Sequence, residues 1–181
     1  MSDTITKIKV ATIWIDGCSG CHMSFLDIDE RILDLAPHID MVYGPLVDLK
    51  EIPEGLDLVI VEGAVANEAD LHHVLELRKK SKFMIALGDC AVSGNVPSMR
   101  NPIGQEACFE RAYFENADTG QQIPTNGVPA LLKNAIPVHQ AVKVDLFIQG
   151  CPPPADAIFF VLSELVAGRV PDPTKVTRFG A

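Results

Sequence analysis

Positive charge is scarce in this chain: 15 Lys and Arg stand against 24 Asp and Glu among 181 residues, a formal net charge of −9. Phosphate binding relies on clustered basic side chains, so a nucleic-acid partner is excluded. The only basic run, Arg78-Lys79-Lys80, reads as a solvated helix end whose charge suits the helix dipole. Long apolar runs are missing too. Hydrophobic residues make up 48% of the chain, yet no uncharged stretch approaches the roughly 18 residues of a membrane span, and none is expected. Internal repeats and low-complexity segments are absent, as are an apolar signal segment after Met1 and a twin-arginine motif. Five cysteines without such a leader argue against a disulfide framework and for a reducing compartment, the cytoplasm.

What is present is a repeating pattern of buried strands and helices. A chain of this length supports one sizeable core, so residues 1–181 are read as a single domain. Lys7 to Ile15 alternates and then becomes almost continuously apolar, as a strand buried on both faces of a parallel sheet does. Phe25, Ile28, Ile32 and Leu35 recur at helical spacing, which predicts an amphipathic helix stopped by Pro37. Further strands are expected over Ile39 to Tyr43, Leu56 to Val61, Phe83 to Leu87 and Val144 to Ile148, with helices over Ala69 to Lys80 and Ala155 to Val166. Pro154 suits the first turn of the last helix. Between the fourth and fifth strands, Ser93 to Gln140 is punctuated by five prolines, and only Glu106 to Phe114 reads as helix. The fold class is therefore α/β: a flavodoxin-like, doubly wound, parallel five-stranded sheet of order 2-1-3-4-5, with an irregular insertion before the last strand. The apolar surplus fits a well-filled core or a partner-facing surface.

Three of the strands end in cysteine. Cys18 and Cys21 follow the first, Cys90 the fourth and Cys151 the fifth, at the carboxyl edge where open α/β sheets build their sites. Strands lie about 4.8 Å apart, so the first and fourth ends stand roughly 10 Å from each other and the loops must lean inward. Gly17, Gly20, Gly88 and Gly150, beside the cysteines, permit that approach. Four gathered thiolates make a metal site. A dithiol redox pair needs only Cys18 and Cys21 and leaves the other two unexplained, whereas structural zinc commonly uses two close-spaced pairs. One pair with two distant singles favours an iron–sulfur cluster, and zinc stays open as the alternative. Pro152, Pro153 and Pro154 offer no N–H to the sulfurs. Cys108 is read as a packing thiol on a helix, and His22, next to Cys21, as a solvated or capping residue rather than a donor to the site. Asp16, Glu62 and Asp89, each at a strand end, fit either hydrogen-bonding or ordinary turn roles, and His38, His72, His73 and His139 show no ligand spacing.

Cys18-Ser19-Gly20-Cys21, Gly88-Asp89-Cys90-Ala91-Val92-Ser93-Gly94 and Gln149-Gly150-Cys151-Pro152-Pro153, in this order and each after a strand, resemble the three cysteine motifs of the small subunit of nickel–iron hydrogenases. The resemblance implies that Cys18, Cys21, Cys90 and Cys151 hold one proximal 4Fe-4S cluster. The one spare cysteine cannot ligate another. The segment Gly94 to Pro102 looks most similar to the cytoplasmic, NAD-linked bidirectional members. That kinship implies a large subunit carrying the nickel–iron centre and a flavin and iron–sulfur module that reduces NAD. The iron–sulfur subunit of respiratory complex I is a more distant relative whose first motif has adjacent cysteines, unlike the spaced Cys18 and Cys21. The resemblance also admits FMN, held by some NAD-linked members, although the loop after the first strand is committed here to cysteines.

Overall fold

In the computed structural model, which describes residues 7–178, the apolar runs become the strands of one parallel sheet. β1 (Ile8–Trp14) leads into α1 (Gly20–Leu26), a 3-10 turn (Asp29–Arg31), α2 (Ile32–Leu35) and β2 (Ile39–Tyr43). β3 (Leu56–Glu62) is followed by the short β4 (Val65–Asn67), α3 (Glu68–Lys80) and β5 (Ser81–Leu87). Then come α4 (Gly88–Ser93), α5 (Asn95–Ser98), α6 (Gln105–Glu110) with a π-helical continuation (Arg111–Glu115), β6 (Leu131–Ile136), α7 (Val138–Ala141), β7 (Leu146–Ile148) and α8 (Ala155–Val166). The sheet runs β2-β1-β3-β5-β7, every neighbouring pair parallel. Its five strands thus follow the expected 2-1-3-4-5 order, and the doubly wound α/β fold is borne out.

Alternation along the strands divides the core in two. Ala11, Ile13, Val59, Val61, Met84 and Ala86 face one side with Val74 and Leu77 of α3; Val10, Leu58, Ile60, Ile85 and Leu87 face the other with Ile158, Val161 and Leu162 of α8. Burying each of those three α8 side chains contributes roughly 1.5–3 kcal/mol. Both faces being covered, the sheet exposes its strand ends, and the carboxyl ends of β1, β3, β5 and β7 all open at one edge.

Two expectations need correction. The helix foreseen over Phe25 to Leu35 buries the anticipated face, with Ile28 and Leu35 in the core, but it is interrupted: the chain turns at Asp29, whose φ of +59° lies in the left-handed region that Asp tolerates better than most residues. Pro154 stands just before α8 in extended conformation (ψ 146°) rather than inside its first turn.

The insertion is also more ordered than its prolines suggested. β6 pairs antiparallel with β4, joining Val65 to Ile136 and Asn67 to Leu131. Arg100 fastens this pair: its guanidinium donates to the carbonyls of Ala66 at 3.0 Å, Leu132 at 2.9 Å and Lys133 at 3.2 Å. The Asn101 side chain completes the seam by bonding both backbone groups of Ala135, each at 2.8 Å. Such tertiary partners carry no local periodicity. Arg100→Ala strands three carbonyls at once, and bonds to a charged donor are worth about 1.5–3 kcal/mol each before water replaces them. A loss of about 1–3 kcal/mol in denaturant unfolding is expected, with faster amide exchange concentrated in residues 131–136.

Candidate metal centre

The sulfurs are placed by backbone and carboxylate contacts at that open edge. After β1 the chain is laced to the β3 loop by Asp16 N–H to Ala64 O at 3.2 Å and Ala64 N–H to Asp16 O at 2.7 Å. Ser19, not a glycine, takes the left-handed conformation (φ +61°) that turns the chain into α1, and its side chain does not cap that helix. Glu62 caps it instead. The Glu62 carboxylate, at the end of β3 and 2% exposed, accepts from the backbone N–H of Cys21 at 3.2 Å and of His22 at 2.8 Å, and also faces His22 Nδ1. A buried anion at a helix start satisfies orphan donors and suits the dipole. His22, expected to be solvated or capping, is therefore drawn inward by Glu62, while its Nε2 is buried without a hydrogen-bond partner among the described residues.

The second and third cysteine loops are clamped to each other. Asp89, 3% exposed, donates its backbone N–H to Gly150 O at 2.9 Å and accepts from Gly150 N–H through Oδ1 at 2.7 Å. The third loop is tied to the first by Ser24, whose hydroxyl donates to Pro153 O at 2.5 Å. The second meets the first at Gly88: with φ +82°, a Cβ there would stand 2.2 Å from Cys21 Sγ, so the Cys21 sulfur occupies the space of the missing side chain. Gly150, at φ +133°, likewise leaves no room for a Cβ, which would lie 2.6 Å from Pro153 Cα.

Cys21 is buried, Cys90 half-buried, and Cys18 and Cys151 exposed. Burial, then the Glu62 carboxylate, then Cys90, Cys18 and Cys151 hold the Cys21 thiol far above its ordinary range. Burial also raises Cys90, partly offset by the Val96 N–H bonded to it, with Cys151, Cys18 and Glu62 adding to the rise. Cys21 and Cys90 thus lie close enough to the other two sulfurs to be affected by them, and a bound cationic metal would make thiolates at Cys21 and Cys90 favourable. Cys108, half-buried on α6, is not among them. Among the described residues, no three His, Cys, Asp or Glu side chains converge on a point able to hold a single metal ion. Ser24 was not foreseen, though its place three residues after Cys21 sets it on the same helix face; Glu62 was visible as a carboxylate ending an apolar strand, without an indication of its partner.

Residues 18–165 match the model of the family described as NADH ubiquinone oxidoreductase, 20 kDa subunit. The chain belongs to that family. Among curated relatives it is 41% identical to the NAD-reducing hydrogenase HoxS subunit delta of Cupriavidus necator, covering 96% of this chain and 86% of that one. It is 39% identical to one subunit of the vhu F420-non-reducing hydrogenase of Methanocaldococcus jannaschii, over 93% of this chain but only 60% of that longer protein. A crystal structure of an NAD+-reducing [NiFe]-hydrogenase in the H2-reduced state contains a chain that superposes with TM-score 0.91 at 35% identity, covering 96% of this chain and 99% of its own. The [NiFeSe] hydrogenase of Desulfovibrio vulgaris Hildenborough, at TM-score 0.60 and 18% identity, shares the fold over 90% of this chain and 60% of its own. The kinship with hydrogenase small subunits expected from the cysteine motifs is borne out.

Gly88→Ala is expected to push Cys21 out of line and abolish metal incorporation, because both the positive φ and the 2.2 Å approach forbid a methyl group. Iron and zinc content of anaerobically purified protein, set beside an unchanged far-UV circular dichroism spectrum, measures it.

Proposed function

We propose that this chain is the electron-transfer small subunit of a nickel–iron hydrogenase, a single iron–sulfur domain working in the cytoplasm. It would hold one proximal 4Fe-4S cluster between the nickel–iron site of a large subunit and a flavin-containing, NAD-reducing module. The observation that carries this reading is that three parallel strand ends bring the loops of Cys18, Cys21, Cys90 and Cys151 to one sheet edge, with buried clamps fixing each loop to another. The similarity to the Cupriavidus necator protein supplies the NAD-linked part of it.

The residues fit such a cluster better than they fit zinc. Structural zinc commonly draws on two close-spaced ligand pairs, whereas here one pair, Cys18 and Cys21, joins the distant singles Cys90 and Cys151. A four-iron cluster takes each cysteine through a different iron, so its ligands stand around a larger volume. When bound it supplies one-electron storage and transfer. The chain's own residues do the rest: Glu62 and Ser24 fix α1 and with it Cys21, Asp89 fixes Cys90 against Cys151, and the apolar strand ends keep water from the deep side. None of them needs to act as acid or base. FMN finds little support, since the loop after β1, which cradles phosphate in flavodoxin-like sites, is taken by Cys18 and Cys21.

Anaerobic purification with the partner subunits, followed by iron, sulfide, zinc and flavin analysis and EPR of the reduced protein, tests the reading. About four iron and four sulfide attributable to this chain are expected; zinc without sulfide overturns it. Cys90→Ala is expected to remove the signal and hydrogen-dependent NAD reduction together.

The segment Ser93 to Pro102 is expected at or beside the large-subunit interface. Val96 and Met99 there are exposed apolar side chains next to the Cys90 and Cys151 loops, the kind of surface that protein partners cover. Met99→Glu should weaken association with the large subunit at least about tenfold, or about 1.4 kcal/mol, with the iron content of this chain unchanged. Association at the original strength would place the interface elsewhere.

A further inference from the structure

Cys151 sits in a loop that denies it hydrogen bonds. It is exposed, and the next three residues, Pro152, Pro153 and Pro154, have no N–H to offer its sulfur. The missing donor comes from another loop. The side-chain amide Nδ2 of Asn95 lies 3.5 Å from Cys151 Sγ. The orientation follows from charge, because an amide oxygen facing a thiolate would be repelled, while an N–H is attracted.

The backbone makes this donation possible at a cost. Gly94 and Asn95 both have positive φ, +88° and +31°, and a Cβ on Gly94 would stand 2.9 Å from the Ser98 side chain. Asn is among the few residues other than Gly that visit this region routinely. The turn is held from both ends: Gly94 N–H bonds Cys90 O at 2.9 Å, and Ser98 donates its N–H to Gly94 O at 3.1 Å and its hydroxyl to Asn95 O at 2.8 Å. Strain maintained by surrounding bonds in the five residues Gly94 to Ser98, which present a donor to the Cys151 sulfur, points to a purpose at that sulfur.

We propose that Asn95 is a positioning residue that acts through Cys151 to raise the reduction potential of the cluster. The inference rests on the electron-transfer reading above. Its physics is simple: an N–H donated to a thiolate sulfur stabilises negative charge, reduction adds negative charge to the site, and the reduced state gains more. Solvent competes for an exposed bond, so the effect is larger where a partner subunit covers the Cys151 loop.

The test is an EPR-monitored redox titration of the complex with its partner subunits, the signal of this chain being assigned by its loss in Cys90→Ala. Asn95→Gly removes the donor and relieves the strained backbone; Asn95→Asp keeps the shape and the tolerance of positive φ while replacing the donor with a carboxylate. Both are expected to retain iron and sulfide. The midpoint potential should fall by about a tenfold change in the one-electron equilibrium constant in Asn95→Gly, about 59 mV, and further in Asn95→Asp. A loaded Asn95→Gly complex with the original midpoint overturns the inference and leaves the electron-transfer reading standing. Loss of iron from both variants overturns it too, making Asn95 a structural residue. Absence of iron and sulfide from the unsubstituted chain overturns the reading and the inference together.

Discussion

Four sulfurs brought to one sheet edge with nothing among themselves to hold them there are the constraint around which this protein is arranged. Burial and neighbouring negative groups press the thiols at Cys21 and Cys90 toward the neutral form, so the sulfurs contribute nothing to holding one another in place. Other contacts must do so, and each joins a different pair of segments: Glu62 joins β3 to α1, Asp89 joins the second cysteine loop to the third, Ser24 joins α1 to the third loop, and Asp16 with Ala64 joins the ends of β1 and β3. These contacts form a chain of single links, so removing one frees the segment beyond it. Each link is needed because the cysteines stand at positions 18, 21, 90 and 151, far apart along the chain.

The clamps depend in turn on the double-sided core. Glu62 continues a strand in which Leu58, Val59, Ile60 and Val61 are all buried, and its register opposite Trp14 and Leu87 brings the carboxylate to the level at which the cysteine loops begin. Shifting β3 by one residue would send that carboxylate to the opposite face of the sheet, because strand side chains alternate. The hydrophobic pattern that fixes the register therefore also fixes the site.

Strands and their order were legible because burial on both faces leaves a signal that needs no partner: runs such as Leu56 to Val61 can be little else in a chain that alternates strand and helix. The strand ends that carry Cys18 and Cys21, Cys90 and Cys151 were legible for the same reason. What escaped was whatever depends on a distant partner. Arg100 looks like any surface arginine until the carbonyls of residues 66, 132 and 133 surround it, and β6 over Leu131–Ile136 has mixed burial because it pairs only with three residues of β4. The break at Asp29 was hidden because the apolar spacing from Phe25 to Leu35 is satisfied by two short helices as well as by one long one. Glycines flanking the first cysteine pair suggested where the backbone bends, yet Ser19 takes the left-handed turn, since a single residue other than Gly is tolerated there when the following helix is capped from elsewhere.

Exposure divides the site into two sides with different duties. The carboxylates of Glu62 and Asp89 and the hydroxyl of Ser24 are all buried, on the side of the sheet, while Cys18 and Cys151 are open to the outside. A partner reaching the open side meets sulfur and exposed apolar groups such as Trp14, Met23, Val96 and Met99, and breaks none of the clamps. Docking on that side removes water and lowers the local dielectric, which strengthens every N–H to sulfur contact without moving a ligand. In the electron-transfer role proposed for this chain, geometry and electronic tuning are thus assigned to opposite sides. The fold sets the first in the isolated chain, and association with the large subunit completes the second.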